Sequence, residues 1–352
     1  MVTRRTLLGG LAATAAVGLA GCSGGNSAGN AASGSAGGAA KAETTWKLAF
    51  NQTEQHPQYK AAVELGKKLA EATSNRYTIE VFANEQLGSQ NEVVQNLSDG
   101  SVEMMFIGGP VMESFNQDFI VFNLPYVFES PEAQAAVFSD KAVMGDLMKS
   151  LESSKKITAL AALHAGTRSV YNSKRAVMKP EDLKGLKIRV QQSDSQVKMI
   201  ESMGAVASPM GQGEVYTALQ SGVLDGAENN ETVFDALKHD EVAKYYSYTR
   251  HLMIPDFLLI NSDTLAKMSE EDRKAFLALL PDMQTQANEG FISYAAESKA
   301  SAEKLGAKFN DDCDIAAFKA ATKPLVESSI SNDVRKKLFE AAQAANKAHP
   351  AK

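Results

Sequence analysis

The chain has 352 residues, 44% of them hydrophobic, more than one small core accommodates, so two lobes are expected. Its formal charge of −6 grows more negative once Arg4 and Arg5 are assigned to a leader, the reverse of a nucleic-acid-binding surface. Five histidines without zinc-helix spacing and only two cysteines argue against a metal cage, and no metal or cofactor is expected.

Met1 to Gly21 reads as a cleaved export signal: Arg4 and Arg5 precede an apolar run from Leu7 through Ala20 that is too short and too rich in Gly and Ala to span a membrane. Thr3-Arg4-Arg5-Thr6-Leu7-Leu8 resembles a twin-arginine signal, and two arginines also serve an ordinary secretory leader, so both export routes stay open. Leu19-Ala20-Gly21-Cys22 resembles a bacterial lipobox, which makes Cys22 the lipid attachment point and places the protein outside the cytoplasmic membrane, periplasmic or at the cell surface. Residues 22–42 follow as a tether of Gly, Ala, Ser and Asn that buries nothing. With Cys22 assigned to lipid, Cys313 stands alone and no internal disulfide is expected.

Thr45 to Phe50 is predicted as a strand, Gln58 to Thr73 as a helix and Tyr77 to Ala83 as a second strand. Glu92 to Ser98 has helical spacing, and Val102 to Ile107 is a short apolar strand ending at Gly108-Gly109-Pro110. A linker helix is predicted from Pro131 to Leu151, and Ile157 to Asn172 reads as extended. A second unit then carries a strand at Leu186 to Val190, a helix at Asp194 to Met203, a strand at Val206 to Pro209 and a helix at Glu214 to Gly222; Phe257 to Asn261 returns as strand. The pattern from Glu270 onward is helical. Pro281 suits the first position of a new helix that reaches about Leu305, roughly 35 Å at 1.5 Å per residue, long enough to back both lobes. Val334 to Lys347 is amphipathic and reads as a capping helix.

Catalytic motifs fail on context. Gly21-Cys22-Ser23-Gly24-Gly25 matches a nucleophile elbow only at the cleavage point, and Gly211-Gln212-Gly213 has Tyr216 where a dinucleotide fingerprint needs its third glycine. Arg168 and Arg189 stand out instead, each in or beside an extended apolar segment. A guanidinium there is costly to desolvate unless it meets a partner, either an internal Asp or Glu or the carboxylate of a ligand.

The order Gly185-Leu186-Lys187-Ile188-Arg189-Val190, Ala207-Ser208-Pro209-Met210, Gly213-Glu214-Val215-Tyr216-Thr217-Ala218-Leu219-Gln220-Ser221-Gly222 and Asp225-Gly226-Ala227-Glu228-Asn229-Asn230 resembles the TRAP-transporter solute-binding family. Phe82-Ala83-Asn84-Glu85-Gln86-Leu87-Gly88-Ser89, Leu124-Pro125-Tyr126-Val127-Phe128 and Gly166-Thr167-Arg168 extend the likeness over most of the mature chain. The resemblance implies an α/β, two-lobed fold of the periplasmic-binding-protein kind, with mixed sheets, hinge strands and a long lobe-spanning helix. Lobe I is expected at residues 43–166 plus 255–294 and lobe II at 167–254 plus 295–352.

The resemblance also implies a small organic acid as ligand and the membrane subunits of a TRAP transporter as partners, with no catalysis. It places Arg189 on the substrate carboxylate, Arg168 as second arginine and Asn229 as a hydrogen-bonding amide; Gln212 stands where relatives often carry Phe, and Asn230 replaces the Pro usual in C4-dicarboxylate binders. That pattern, with His251 downstream, is similar to the branch associated with uronates and other sugar acids. Asn51, His56 and Gln90, in loops after strands, are the first-lobe candidates. The other functions to weigh are a C4-dicarboxylate binder, a ligand-sensing subunit for a receptor kinase, and an exported hydrolase or lyase on acidic sugars.

Overall fold

The structure, a computed structural model, describes residues 42–351. The expectations for the leader, the Cys22 lipobox and nearly all of the tether therefore lie outside the described residues.

Strand β1 (Thr44–Ala49), helix α1 (Pro57–Ala72), strand β2 (Tyr77–Phe82), helix α2 (Gln90–Asp99) and strand β3 (Met104–Gly108) make the first alternating unit. Pro57 opens α1, where its fixed φ suits the first turn and its missing N–H costs nothing, and the His56 ring accepts from the Gln58 N–H as N-cap. The apolar stripe Ala61, Ala62, Leu65 and Leu69 then packs with Trp46, Leu48 and Ile79.

Short helix α3 (Gly109–Met112) and a 3-10 stretch (Gln117–Asn123) lead to α4 (Pro131–Ser139), α5 (Lys141–Lys149) and α6 (Glu152–Lys155). The single linker helix expected over this region is therefore broken. Asp140 leaves the helical region at ψ 102° and turns its carboxylate onto the Ala142 N–H, an alternative hydrogen bond that competes with helix continuation.

The extended stretch Ile157 to Asn172 divides into β4 (Ile157–His164) and β5 (Arg168–Asn172), which belong to different sheets. Gly166 sits at this crossing with φ +83°, and a Cβ there would fall 2.7 Å from the Phe291 ring. Only glycine combines that backbone with that close approach.

The second unit runs β6 (Lys187–Val190), α7 (Asp194–Ser202), β7 (Val206–Pro209), α8 (Val215–Gln220), β8 (Gly226–Asn229), α9 (Glu231–Ala236), α10 (His239–Val242) and β9 (Tyr245–Leu252). The chain then crosses back as β10 (Pro255–Asn261) and continues as α11 (Ser262–Ala266), α12 (Glu270–Lys304), β11 (Lys308–Asn310), α13 (Ile315–Ser329) and α14 (Asp333–Ala348). One sheet has the order β2-β1-β3-β10-β4 and the other β11-β9-β5-β8-β6-β7. Each is mixed: β1, β2 and β3 are parallel with β10 antiparallel, and β6, β7 and β8 are parallel with β5 antiparallel to β8. The fold is thus the expected two-lobed α/β architecture.

Helix α12 departs from expectation in length. Its 35 residues are continuous with Pro281 inside, about 50 Å at 1.5 Å per residue. An internal proline removes one helical hydrogen bond, and burial of the helix on both sides of it outweighs that loss. Phe276, Leu280, Met283 and Ala287 enter the core under the first sheet, while Ala302 enters the core beside the second. The C-terminal helices part company: α13 packs on α7 and β9, whereas α14 packs on α4, α5 and the 117–123 stretch, beside the first sheet.

Candidate functional site

The parallel strands of both sheets aim their carboxyl ends at one cleft, the usual ligand position in open α/β sheets. Asn51 and Gln52 follow β1, Gln90 begins α2, and Gly108 ends β3; from the other side come Gln191 after β6, Met210 to Gln212 after β7, and Asn229 at the end of β8. Two adjoining compartments of about 340 and 330 Å³ share Asn51, Gln90, Gln191 and Gln212 in their walls. Arg168, His56, Asn229 and Asn230 line one, and Arg189 lines the other. All eight expected side chains therefore meet along this cleft.

They do not meet it in the same way. Arg168 and Arg189 are each only 4% exposed. Arg168 donates from Nε and Nη2 to the two carboxylate oxygens of Glu228 at 2.6 Å each, from Nη2 again to the Glu228 carbonyl at 2.7 Å, and from Nη1 to Asn229 Oδ1 at 2.8 Å. Four of its five N–H groups are thereby engaged inside the protein. Burial pushes the Glu228 carboxyl up, but Arg168 and His251, whose Nε2 lies 3.4 Å away, hold it down at about 2. The pair is neutral as a unit.

Arg189 donates from Nε and Nη2 to one acceptor, the Met210 carbonyl, at 3.0 and 2.7 Å. Among the described residues it forms no ion pair, and its remaining N–H groups have no protein acceptor. Burial, then the neighbouring Arg168 charge, lower its pKa to about 10, which still leaves it fully cationic at neutral pH. A buried guanidinium with free N–H groups beside an open cleft is an anion site.

The amides differ as well. Asn230 is consumed locally: its Nδ2 donates to the Ala165 carbonyl at 2.6 Å, and its Oδ1 caps α9 through the Val233 N–H and accepts from Thr232 Oγ1. It pins the crossing at Gly166 rather than offering groups to the cleft. Asn229 Oδ1 is held by Arg168 and by the Asn230 N–H. Gln212 reaches across the cleft, accepting from Asn51 Nδ2 and Gln52 Nε2 and donating to the Asn51 carbonyl and Gln52 Oε1 at 3.2 to 3.4 Å. Asn91 and Gln192 form a second bridge at 2.9 Å. These bonds tie the two sides in a closed arrangement.

His56 is buried, and this, together with Lys60, lowers its pKa to about 3. Its Nδ1 accepts from Gln58 N–H, so the neutral ring carries its proton on Nε2 as a donor.

Sequence reasoning missed Gln191, Gln52 and Asp256 in the walls and Glu228 as the partner of Arg168. Gln191 was within reach, since it lies two residues beyond Arg189 on the same strand face. Asp256 was not, because only the antiparallel register that sets it opposite Gly108 brings it here.

A profile of bacterial extracellular solute-binding protein family 7, the DctP family, matches residues 48–333. A solute-binding protein of Chromohalobacter salexigens is 32% identical over 279 residues, 78% of this chain and 81% of that protein. Among solved structures, a TRAP periplasmic solute-binding protein of Anaerococcus prevotii with bound α/β-D-glucuronate superposes with a TM-score of 0.85 at 36% identity, covering 88% of this chain and 100% of that one. One of Xanthobacter autotrophicus with bound β-D-galacturonate does so with a TM-score of 0.80 at 31% identity, covering 85% and 99%.

Proposed function

This chain belongs to bacterial extracellular solute-binding protein family 7, and from that premise we propose that it captures a hexuronate such as glucuronate or galacturonate for the membrane subunits of a TRAP transporter. The observation that carries the reading is Arg189, a buried guanidinium with no internal carboxylate beside a cleft rich in amides. With Arg168 neutralised by Glu228, the cleft presents one uncompensated cation at Arg189, which suits a monocarboxylate better than a dicarboxylate. Asn51, Gln90, Gln191 and Gln212 supply donors and acceptors for hydroxyls. The bound uronates of the two similar structures support the same choice of ligand.

The role is binding and release. Ligand enters between the sheets, its carboxylate takes the free N–H groups of Arg189, and the Gln212 and Asn91 bridges hold the closed form that signals cargo. Export and lipidation at Cys22 would keep this body near its transporter; mass spectrometry of the membrane fraction for a diacylated N-terminal Cys22 checks that part. Calorimetry with D-glucuronate, D-galacturonate, gluconate and succinate tests the ligand: micromolar binding of a uronate, about −8 kcal/mol, is the expected result, and uronates that bind no better than succinate would sink it.

A further inference from the structure

Two ends of the cleft carry opposite chemistry. At one end is Arg189. At the other, Asp256 projects from β10 at the position paired with Gly108 of β3, where the absence of a side chain leaves room. A Cβ built on Gly108 would lie 2.9 Å from Gln191 Nε2, 3.6 Å from Gln90 Oε1 and 3.7 Å from Asp256 Oδ1, so three polar ends converge on that one backbone point.

Among the described residues Asp256 forms no ion pair, and the cation that acts on it, Arg168, is already held by Glu228. Burial pushes its carboxyl up to about 6, with Gln58 and Arg168 pulling the other way, so at neutral pH it remains mostly an anion. Donors accompany it in the same wall: the neutral His56 ring and the Gln191 amide. A hydroxyl can donate to Asp256 and accept from these donors at once. A carboxylate can only accept, and at this end it would face Asp256 as a like charge.

We propose that Asp256 is the specificity-determining residue of the distal end of the site, favouring a hydroxylated terminus and rejecting a second carboxylate. The inference rests on the sugar-acid reading above and narrows it: uronates are taken, whereas aldarates of the same chain length and C4-dicarboxylates are refused.

D-glucuronate and D-glucarate differ in a single terminal group and isolate the effect. The expected result for the purified wild-type protein at pH 7.5 is at least about a hundredfold preference for glucuronate over glucarate by calorimetry, as befits a desolvated like-charge contact. Asp256→Asn, which keeps shape and removes charge, weakens glucuronate by about tenfold and strengthens glucarate, so the preference falls by more than tenfold. A wild-type protein that binds both acids equally well overturns the inference without any substitution. So does an Asp256→Asn protein that still binds glucuronate with the preference unchanged. Failure of every uronate to bind the wild type would instead overturn the parent reading, and this one with it.

Discussion

The Arg168 end of the cleft and the Arg189 end contain the same side chain at the same 4% exposure, yet one is part of the scaffold and the other is a binding group. The difference is the neighbour. Glu228 on β8 lies beside Arg168 on β5 and takes its charge in a bidentate pair, whereas Arg189 on β6 has only a backbone carbonyl. A buried arginine is therefore informative about function only once its compensating carboxylate has been looked for and not found. The closed arrangement with an open anion site is what a capture protein needs, since the missing charge partner is the ligand.

The contrast is broken most forcefully by truncating each arginine in turn. Arg168→Ala leaves Glu228 buried without its partner and should lower unfolding free energy by about 3–5 kcal/mol, measured by urea denaturation. Arg189→Ala should do the reverse: ligand-free stability changes by less than about 1 kcal/mol, while uronate affinity falls by about a hundredfold or more. Equal stability losses in both variants would erase the distinction.

Acid separates the ends by pH. His56, His164 and His239 are held neutral mainly by burial, at about 3, 4 and 3 against an ordinary 6.5. The unfolded chain takes up their protons first, so the stability they contribute is complete above pH 6.5 and is lost as pH falls from there toward 3. Glu228 behaves similarly in a lower window: its contribution is complete above its ordinary 4.5 and is lost as pH falls toward about 2. Unfolding curves from pH 8 to pH 3 should therefore show decline beginning near 6.5, and His56→Gln should reduce the slope between 6.5 and 4.5. A flat profile down to pH 4.5 would contradict the buried neutral histidines.

The smallest expected effect concerns closure. Gln212→Ala removes the bonds to Asn51 and Gln52, worth about 1 kcal/mol together, and should weaken ligand about fivefold. Small-angle scattering of the ligand-free variant should show a more open average shape than the wild type. An unchanged radius together with unchanged affinity would show that the bridge does not contribute to closure.

Much of the architecture was legible in the chain because it rests on local signals. Pro57 with His56, the Val93, Val94 and Leu97 stripe, and the β-branched run of Tyr77 to Phe82 each announce their element within a few residues. Failures came where a local signal was overruled. Pro281 reads as a helix start, but packing on both sides carries α12 through it. The run from Pro131 to Leu151 reads as one helix, but the Asp140 side chain supplies a competing cap. Asn230 reads as a ligand contact because of its place in the motif, and its side chain is instead used to cap α9 and hold the crossing.

What the sequence by itself determined was the α/β alternation, the export-like leader, and the identity of the polar residues that follow the strands, because propensity, capping and side-chain period act over a few residues. What only the tertiary structure decided was which charge is answered. Arg168 and Glu228 are 60 residues apart and meet through the alignment of β5 with β8; Asp256 faces the cleft through the pairing of β10 with β3. Charge compensation is a property of distances between strands, and distances between strands do not exist until the sheets have formed.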